Sequence, residues 1–168
     1  WSSDVCSSDL KRLTTLNTLV GAIPGALPPL MGWTAATGEI SRGGWALFTI
    51  LFFWQLPHFM AIAWLYREQY ASAGFRMLPM VDPDGSRTAG TAMRHTLALT
   101  AFSLAPYALG IAGRWYVVGA LILGCIFLSC AVRFSLQRDR QNARSLFFAS
   151  IIHLPLLLGL LVLDKIRM

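Results

Sequence analysis

Charged residues are scarce in this chain: they make up 13% of its 168 residues, against roughly 25% in a soluble domain. Acidic residues are scarcer still, with eight Asp and Glu beside fourteen Lys and Arg. Hydrophobic residues make up 55% of the chain, and the mean hydropathy is +0.56. A soluble fold of this size has too little interior to bury so much apolar surface. The composition therefore excludes an ordinary soluble domain and predicts a membrane protein.

Several common catalytic signatures are also missing from the sequence. It holds no Walker loop and no HExxH, GxSxG or CxxC pattern, so nucleotide hydrolysis and common hydrolytic chemistries have no support. Cysteine is rare, and two of the three cysteines, Cys125 and Cys130, lie in an apolar stretch. Reduced cysteines that only pack are usual there, so we expect no disulfide between them.

What the sequence has in abundance is long apolar runs. Five segments are long and apolar enough to cross a bilayer about 30 Å thick, and they cover residues 13–33, 45–66, 95–112, 115–134 and 146–163. The sequence thus predicts an all-α, polytopic transmembrane helix bundle. Residues 1–10 read WSSDVCSSDL and lack the charged start and apolar core of a signal peptide. We expect them to be foreign sequence, with a single membrane domain over residues 11–168.

Basic residues alternate between the two sides of such a bundle. If the first span enters from the cytoplasm, ten of the fourteen fall on the cytoplasmic side, where Lys and Arg normally accumulate. The ten are Lys11, Arg12, Arg67, Arg76, Arg87, Arg94, Arg133, Arg138, Arg140 and Arg144; the other four are Arg42, Arg114, Lys165 and Arg167. The net charge of +6 therefore reflects topology in a lipid bilayer, and we expect no nucleic-acid partner.

A polar cluster interrupts the second predicted span. The run WQLPHF contains Trp54, Gln55 and His58, and Pro57 has no amide to bond the carbonyl of Phe53. Hydrocarbon offers no water to an amide or an imidazole, so such groups face protein, a ligand or a wet cavity. Gln55 and His58 are three residues apart and share a helical face. They can orient a polar ligand, hold haem iron or join two helices.

The first predicted span combines small residues with prolines. Asn17, Gly21 and Gly25 recur every four residues, which places an amide and a groove of small residues on one helical face. The prolines of this span are Pro24, Pro28 and Pro29. Because proline removes an amide donor, we expect the regular helix to bend or end there. The bend serves either a tight helix interface or a cavity with Asn17 inside it.

The loop after the second span is long and charged, which is uncommon unless the loop has a function. Tyr66 and Tyr70 are predicted to lie one turn apart where the helix continues out of the membrane. Arg67 and Arg76 can hold a diphosphate, and Glu68 can carry Mg²⁺. The alternative is an aromatic belt with a positive-inside loop and a solvated carboxylate. The other acidic residues of the loop read as turn formers: Asp82 and Asp84.

Three strings of the sequence carry a resemblance to a known family. KRLTTLNTLVGAIPGALPPLMGW, FFWQLPHFMAIAWLYREQYASAGFRMLP and DPDGSRT resemble the second half of the protoheme IX farnesyltransferases, within the intramembrane prenyltransferase (UbiA) superfamily. The resemblance runs from Lys11 to the end of the chain. It implies nine helices around a cavity in a bacterial inner membrane. There, farnesyl diphosphate on Mg²⁺ would prenylate the vinyl group of protoheme IX to give haem O, with haem A synthase as a further partner.

The resemblance and the loop together assign roles to eleven residues. The catalytic residues are Asn17, Tyr66 and Tyr70; the substrate-binding residues are Lys11, Arg12, Trp54, Gln55, His58, Arg67 and Arg76; the metal ligand is Glu68. The family usually has aspartate where this chain has Gln69, so the metal role depends on Glu68 alone. The family's first Asp-rich motif is not in this sequence, and we expect these 168 residues alone to be inactive. A prenyltransferase for a quinone precursor and a non-catalytic membrane component remain as alternatives.

Overall fold

The protein folds as a bundle of helices. The computed structural model describes residues 17–74 and 77–166. The helices are α1 (Asn17–Thr37), α2 (Arg42–Leu65), α3 (Arg67–Ser72), α4 (Leu78–Val81), α5 (Ser86–Phe102), α6 (Ala105–Ala108), α7 (Arg114–Leu136) and α8 (Arg140–Leu163). Four of them, α1, α2, α7 and α8, are long and apolar enough to cross a membrane. The predicted all-α, polytopic bundle is confirmed.

The third predicted span is the part of the fold that differs from prediction. We expected a span over residues 95–112, but α5 begins at Ser86 and ends at Phe102, and the short helix α6 follows it. Its 17 residues extend about 25 Å. Its first half buries the hydroxyl group of Thr88 and the small residues Ala89 and Ala92. A hydropathy profile detects only the apolar second half of such a helix. Among the described residues, four helices are long and apolar enough to cross a membrane, where five were predicted.

Helix α2 lies at the centre of the bundle. It packs against α1, α5 and α8, while α7 packs against α5 and α8 and closes a four-helix core. Large apolar side chains fill this core, and five of them are almost fully buried: Leu99, Phe127, Phe134, Leu146 and Leu157. Burial of one such side chain contributes about 1.5–3 kcal/mol in water. Three faces of α2 therefore each contact a different helix.

Helix α1 runs through its prolines without ending. The helix continues to Thr37 beyond the last proline of the span, so of the two predicted outcomes, a bend or an end, the end does not occur. Ala22, Ala26 and Leu30 recur every four residues and are buried. The two alanines let α1 lie close to α2, and the contact keeps the helix intact despite the missing amide donors. Gly25 meets the side chain of Gln55, whereas the predicted groove residue Gly21 faces open space.

The two ends of the bundle differ in charge. At the end we call the basic end, Leu65 at the end of α2 and Tyr66 just after it line a depression with Arg140 and Arg144 of α8. At the opposite end, the backbone amide of Gly113 donates to the carbonyl of Asp164, with N···O 2.9 Å. The long helices therefore alternate in direction as the distribution of basic residues predicts.

A buried carboxylate holds the turn that precedes α5. Asp82 is 2% exposed, and its Oδ2 accepts hydrogen bonds from the backbone nitrogen and from Oγ1 of Thr88, both at 2.7 Å. Gly85, just before the helix, has a φ of +71°, a conformation that favours glycine. Asp82 thus shapes the turn by capping the first turn of α5.

Replacing Asp82 with Ala is expected to lower the free energy of unfolding by about 1–3 kcal/mol, because the buried amide of Thr88 loses its acceptor. Thermal unfolding of the protein in detergent measures this loss. Asp84→Ala is the matched control, since Asp84 belongs to the same turn but is exposed; its effect should stay within about 0.5 kcal/mol. Equal losses in the two variants would contradict the capping role.

Candidate functional site

Three aromatic rings stack between α2 and α8. Trp54 and His58 lie one turn apart on α2, with ring centroids 4.8 Å apart and planes inclined by 18°. The ring of Phe147 on α8 also stacks against His58, with centroids 5.3 Å apart and planes inclined by 26°. Side chains at positions i and i+4 of a helix lie one above the other, which brings the indole and the imidazole together. The three rings together form a partly exposed aromatic surface between the two helices, away from their ends.

Hydrogen bonds to Ser150 of α8 fix this stack. Trp54 Nε1 donates to the carbonyl of Ser150 at 2.7 Å, and His58 Nδ1 lies 2.7 Å from Ser150 Oγ. Ser150 Oγ in turn donates to the carbonyl of Phe147 at 2.6 Å. A hydroxyl group has one proton, so an oxygen that donates to Phe147 can only accept from the imidazole. His58 therefore carries its proton on Nδ1, and Nε2 keeps a free lone pair.

A shallow apolar groove lies in front of the stack. Its volume is about 410 Å³ and it is open along one side. Its lining residues are Trp54, His58, Ile62, Phe147, Ile151, Leu154 and Pro155. We call this the α2–α8 groove. The structure brings the predicted residues Trp54 and His58 together here, and it adds Phe147 and Ser150, which no polar signal in the apolar sequence of α8 indicated.

Gln55 points away from this groove. Its side chain packs against Gly25 of α1, where a Cβ atom on the glycine would clash with Gln55 Oε1. Gln55 is 4% exposed, and its Nε2 has no hydrogen-bond partner among the described residues. The structure thus separates Gln55 from His58, because side chains three residues apart on a helix differ by about 60° in direction. The polar cluster predicted as one site serves two faces of α2.

His153 on α8 faces α7 and not the groove. It is 2% exposed, its Nδ1 lies 3.3 Å from the carbonyl of Leu123, and its ring lies against Phe127 with centroids 5.1 Å apart. Its Nε2 has no partner within the described part of the chain. His153 is therefore a core residue with one unsatisfied nitrogen.

The predicted loop residues lie at the basic end. The helix is interrupted at Tyr66, so the expected continuous extension of α2 is wrong. The two tyrosines are nevertheless one turn apart, because the amide of Tyr70 donates to the carbonyl of Tyr66 at 3.0 Å. Arg67 has its guanidinium 4.7 Å from the centre of the Trp64 ring, a cation–π contact. Tyr66 is half exposed, and Glu68 is exposed.

Four of the predicted site residues lie outside what can be described. Lys11, Arg12 and Arg76 belong to segments beyond the described residues, as does the expected foreign segment 1–10. Asn17 begins α1, but its side chain is not among those described. Their assigned roles stay predictions.

Comparison with known proteins decides the family. The chain matches the UbiA prenyltransferase family over residues 7–152. It belongs to that family. The protoheme IX farnesyltransferase of Solibacter usitatus is 51% identical over 156 residues, which cover 93% of this chain and 53% of the relative. The mitochondrial protoheme IX farnesyltransferase of Homo sapiens is 42% identical over 95% of this chain and 36% of the relative. No solved structure matches.

Membership of the UbiA family confirms the resemblance read from the sequence. It agrees with the four apolar helices in making this an integral membrane protein. The chain spans about half the length of the bacterial relatives it matches.

Mg²⁺ is the metal that a UbiA prenyltransferase implies, and the described residues do not provide a complete site for it. They contain no group of three His, Cys, Asp or Glu side chains that could hold a metal ion. Glu68 stands alone, and Asp82 already accepts two hydrogen bonds from Thr88. A hydrogen bond from Ser86 holds the pKa of the exposed Asp84 carboxyl below its usual range. One free carboxylate cannot by itself satisfy an octahedral cation.

Proposed function

We propose that this chain forms part of an intramembrane prenyltransferase that transfers a farnesyl group from farnesyl diphosphate to the vinyl group of protoheme IX, giving haem O. The observation that carries the proposal is the α2–α8 groove. An open, apolar groove backed by Trp54, His58 and Phe147 suits a flat aromatic macrocycle, which can make apolar and edge-to-face contacts with rings of this kind. Relatives that bear the name protoheme IX farnesyltransferase support the assignment.

The groove residues suit the chemistry of the transfer. Loss of diphosphate leaves an allylic cation, the vinyl group attacks it, and water completes the hydroxyethylfarnesyl group. A cation of this kind survives only where water is excluded until the new bond has formed. Ile62, Ile151 and Leu154 provide an apolar wall beside the stack. The groove thus both orients the macrocycle and keeps its vinyl edge away from water.

The loop at the basic end supplies the groups proposed for the leaving diphosphate. Arg67 lies there with Tyr66 and Tyr70, and its guanidinium can stabilise the negative charge that leaves with the diphosphate. Glu68 contributes one carboxylate toward Mg²⁺ in the whole protein. We place the enzyme in the bacterial cytoplasmic membrane, and haem A synthase, which would take up haem O, is the proposed partner.

The two alternative functions are less well supported. A prenyltransferase for a quinone precursor needs a pocket for one aromatic ring with a carboxylate, whereas the groove is long, open and backed by three rings. A non-catalytic component needs no exposed imidazole lone pair within the membrane. The relatives named as farnesyltransferases favour neither alternative.

A transfer assay tests the proposed function. Membranes containing the protein as its gene encodes it are expected to attach radiolabelled farnesyl to protoheme, and to attach none to an aromatic acid or a naphthoate offered as acceptor. Chromatography separates the labelled products. Label on either of the smaller acceptors, or none on protoheme, would overturn the proposal. Membranes without the protein provide the background.

A further inference from the structure

The α2–α8 groove and the depression at the basic end are parts of one surface. On α2, Ile62 of the groove is followed within one turn by Leu65 and Tyr66, which line the depression. On α8, Phe147 of the groove is three residues from Arg144, which lines the depression as well. Residues three or four apart lie on the same side of a helix. The two hollows therefore form a continuous seam, apolar along most of its length and cationic at one end.

The cationic end of this seam has two uncommitted guanidinium groups. Arg140 and Arg144 are exposed and four residues apart, so they lie on the same face of α8. Neither side chain makes a hydrogen bond or an ion pair with any other side chain that the structure describes. A ligand with two carboxylates at one edge would complement this end, because each guanidinium can bind a carboxylate in bidentate fashion.

The apolar part of the seam contains one group suited to bind a metal ion. Because Ser150 Oγ accepts the Nδ1 proton of His58, the imidazole is neutral and presents the lone pair of Nε2. A histidine that binds a metal through one nitrogen commonly donates its other N–H to a fixed acceptor, which sets the tautomer and the ring orientation. His58 already has that arrangement. An iron ion above Nε2 would find the ligand preorganised.

The spacing along the seam fits a haem. Ser150 lies beside His58, and Arg144 precedes Ser150 by six residues, or about 9 Å along the helix. This is comparable to the distance between the iron of a haem and the end of its propionate side chains. With the propionates at Arg144 and Arg140, the vinyl edge of the macrocycle would point into the apolar part of the seam.

We propose that protoheme binds along the α2–α8 seam, with its iron ligated by His58 Nε2 and its propionates held by Arg144 and Arg140. This inference rests on the proposed function, which names protoheme as a substrate. The competing occupant is an anionic phospholipid, whose headgroup would also suit the two arginines. A phospholipid has no group that would bind the lone pair of His58 Nε2, whereas haem iron does. The observations therefore favour the haem.

Titration of three porphyrins separates the two contacts. The protein is reconstituted in phosphatidylcholine nanodiscs and titrated with protoheme, with metal-free protoporphyrin IX and with haem dimethyl ester, which lacks charged propionates. Binding and iron ligation are followed by visible absorption. His58→Ala is expected to remove the absorption signature of histidine ligation and to weaken protoheme binding at least about tenfold. The same variant should bind protoporphyrin IX nearly as the wild type does.

Arg144→Gln is expected to affect every porphyrin that carries charged propionates, with or without iron. It should weaken binding of protoheme and of protoporphyrin IX about tenfold, while binding of the dimethyl ester stays unchanged. Ser150→Ala, which removes the acceptor for the His58 N–H, should weaken protoheme binding about tenfold without affecting protoporphyrin IX. Arg133→Gln is the matched control, because Arg133 is exposed at the same end but lines a different depression with Leu136, Gln137 and Asn142.

Two results would overturn the inference. One is an unchanged protoheme spectrum in His58→Ala; the other is an Arg144→Gln variant that binds all three porphyrins like the wild type. Repeating the Arg144→Gln measurement in phosphatidylglycerol nanodiscs tests the lipid, and a loss of lipid binding alone would assign the seam to lipid. If the wild type farnesylates protoheme while both variants bind it normally, the seam inference fails and the proposed function stands. If protoheme binds as expected but no transfer occurs, the proposed function fails.

Discussion

Replacing His58 with Ala should reduce farnesyl transfer to protoheme at least about 100-fold, since loss of a positioning contact can cost a factor of that size. The imidazole is the middle member of the stack with Trp54 and Phe147, and it bonds to Ser150. Alanine removes the Nε2 lone pair that we propose ligates the iron. Chromatography of the haem products, normalised to the amount of protein in the membrane, measures the effect.

The fold should survive this substitution. His58 is only partly buried, and loss of its ring contacts is expected to cost about 0.5–1.5 kcal/mol per pair. His95→Ala is the matched control, because His95 bonds to the carbonyl of Thr91 at 2.8 Å and lies against Phe53 on another face of α2. The control variant should keep most of its transfer activity. Equal losses in the two variants, or a loss that only follows membrane abundance, would contradict a specific role for His58.

The sequence was sufficient to predict the long helices because their apolar runs are continuous. α1, α2, α7 and α8 follow such runs to within a few residues. α5 was misplaced because its first half is not apolar and buries the hydroxyl group of Thr88 with small residues. Hydropathy measures the side chain and not the surroundings that the fold provides. A helix buried within a bundle is therefore the kind of element that this measure finds least well.

The candidate site could be predicted only in part, for a related reason. Trp54 and His58 stood out because polar groups are costly in hydrocarbon. Their partners Phe147 and Ser150 lie about ninety residues further along, and helical periodicity does not say which helices pack together. Arg140 and Arg144 were used only to predict the topology and were not predicted as site residues. Their position beside the groove depends on the contact between α2 and α8, which the sequence does not reveal.

The packing around α2 also explains why Gln55 and His58, predicted as one polar cluster, face two different helices. Its neighbours α1 and α8 contact it from different directions, and the angle between Gln55 and His58 is enough to turn one toward each. His58 finds a hydroxyl partner, whereas Gln55 Nε2 finds none among the described residues. A buried amide left in that state costs about 1–3 kcal/mol. Such a cost is tolerated at sites where a ligand supplies the missing bond.

Replacing Gln55 with Met should therefore raise stability and lower activity in the same variant. Met has a similar length and no amide to desolvate, so the free energy of unfolding is expected to rise by about 1–2 kcal/mol. If the amide contacts a substrate, as predicted from the sequence, transfer to protoheme should fall at least about tenfold. Thermal unfolding in detergent and the transfer assay on the same preparation measure the two effects.

His153→Phe is the control that separates stability from function. His153 has the same defect, a buried nitrogen unpartnered within the described chain, but it faces α7 and Phe127. Phenylalanine should raise stability by a similar amount and leave the transfer rate unchanged. A less stable Gln55→Met variant would show that the amide finds its partner within the protein itself. Full activity in that variant would show that no substrate depends on the amide, and either result would remove Gln55 from the site.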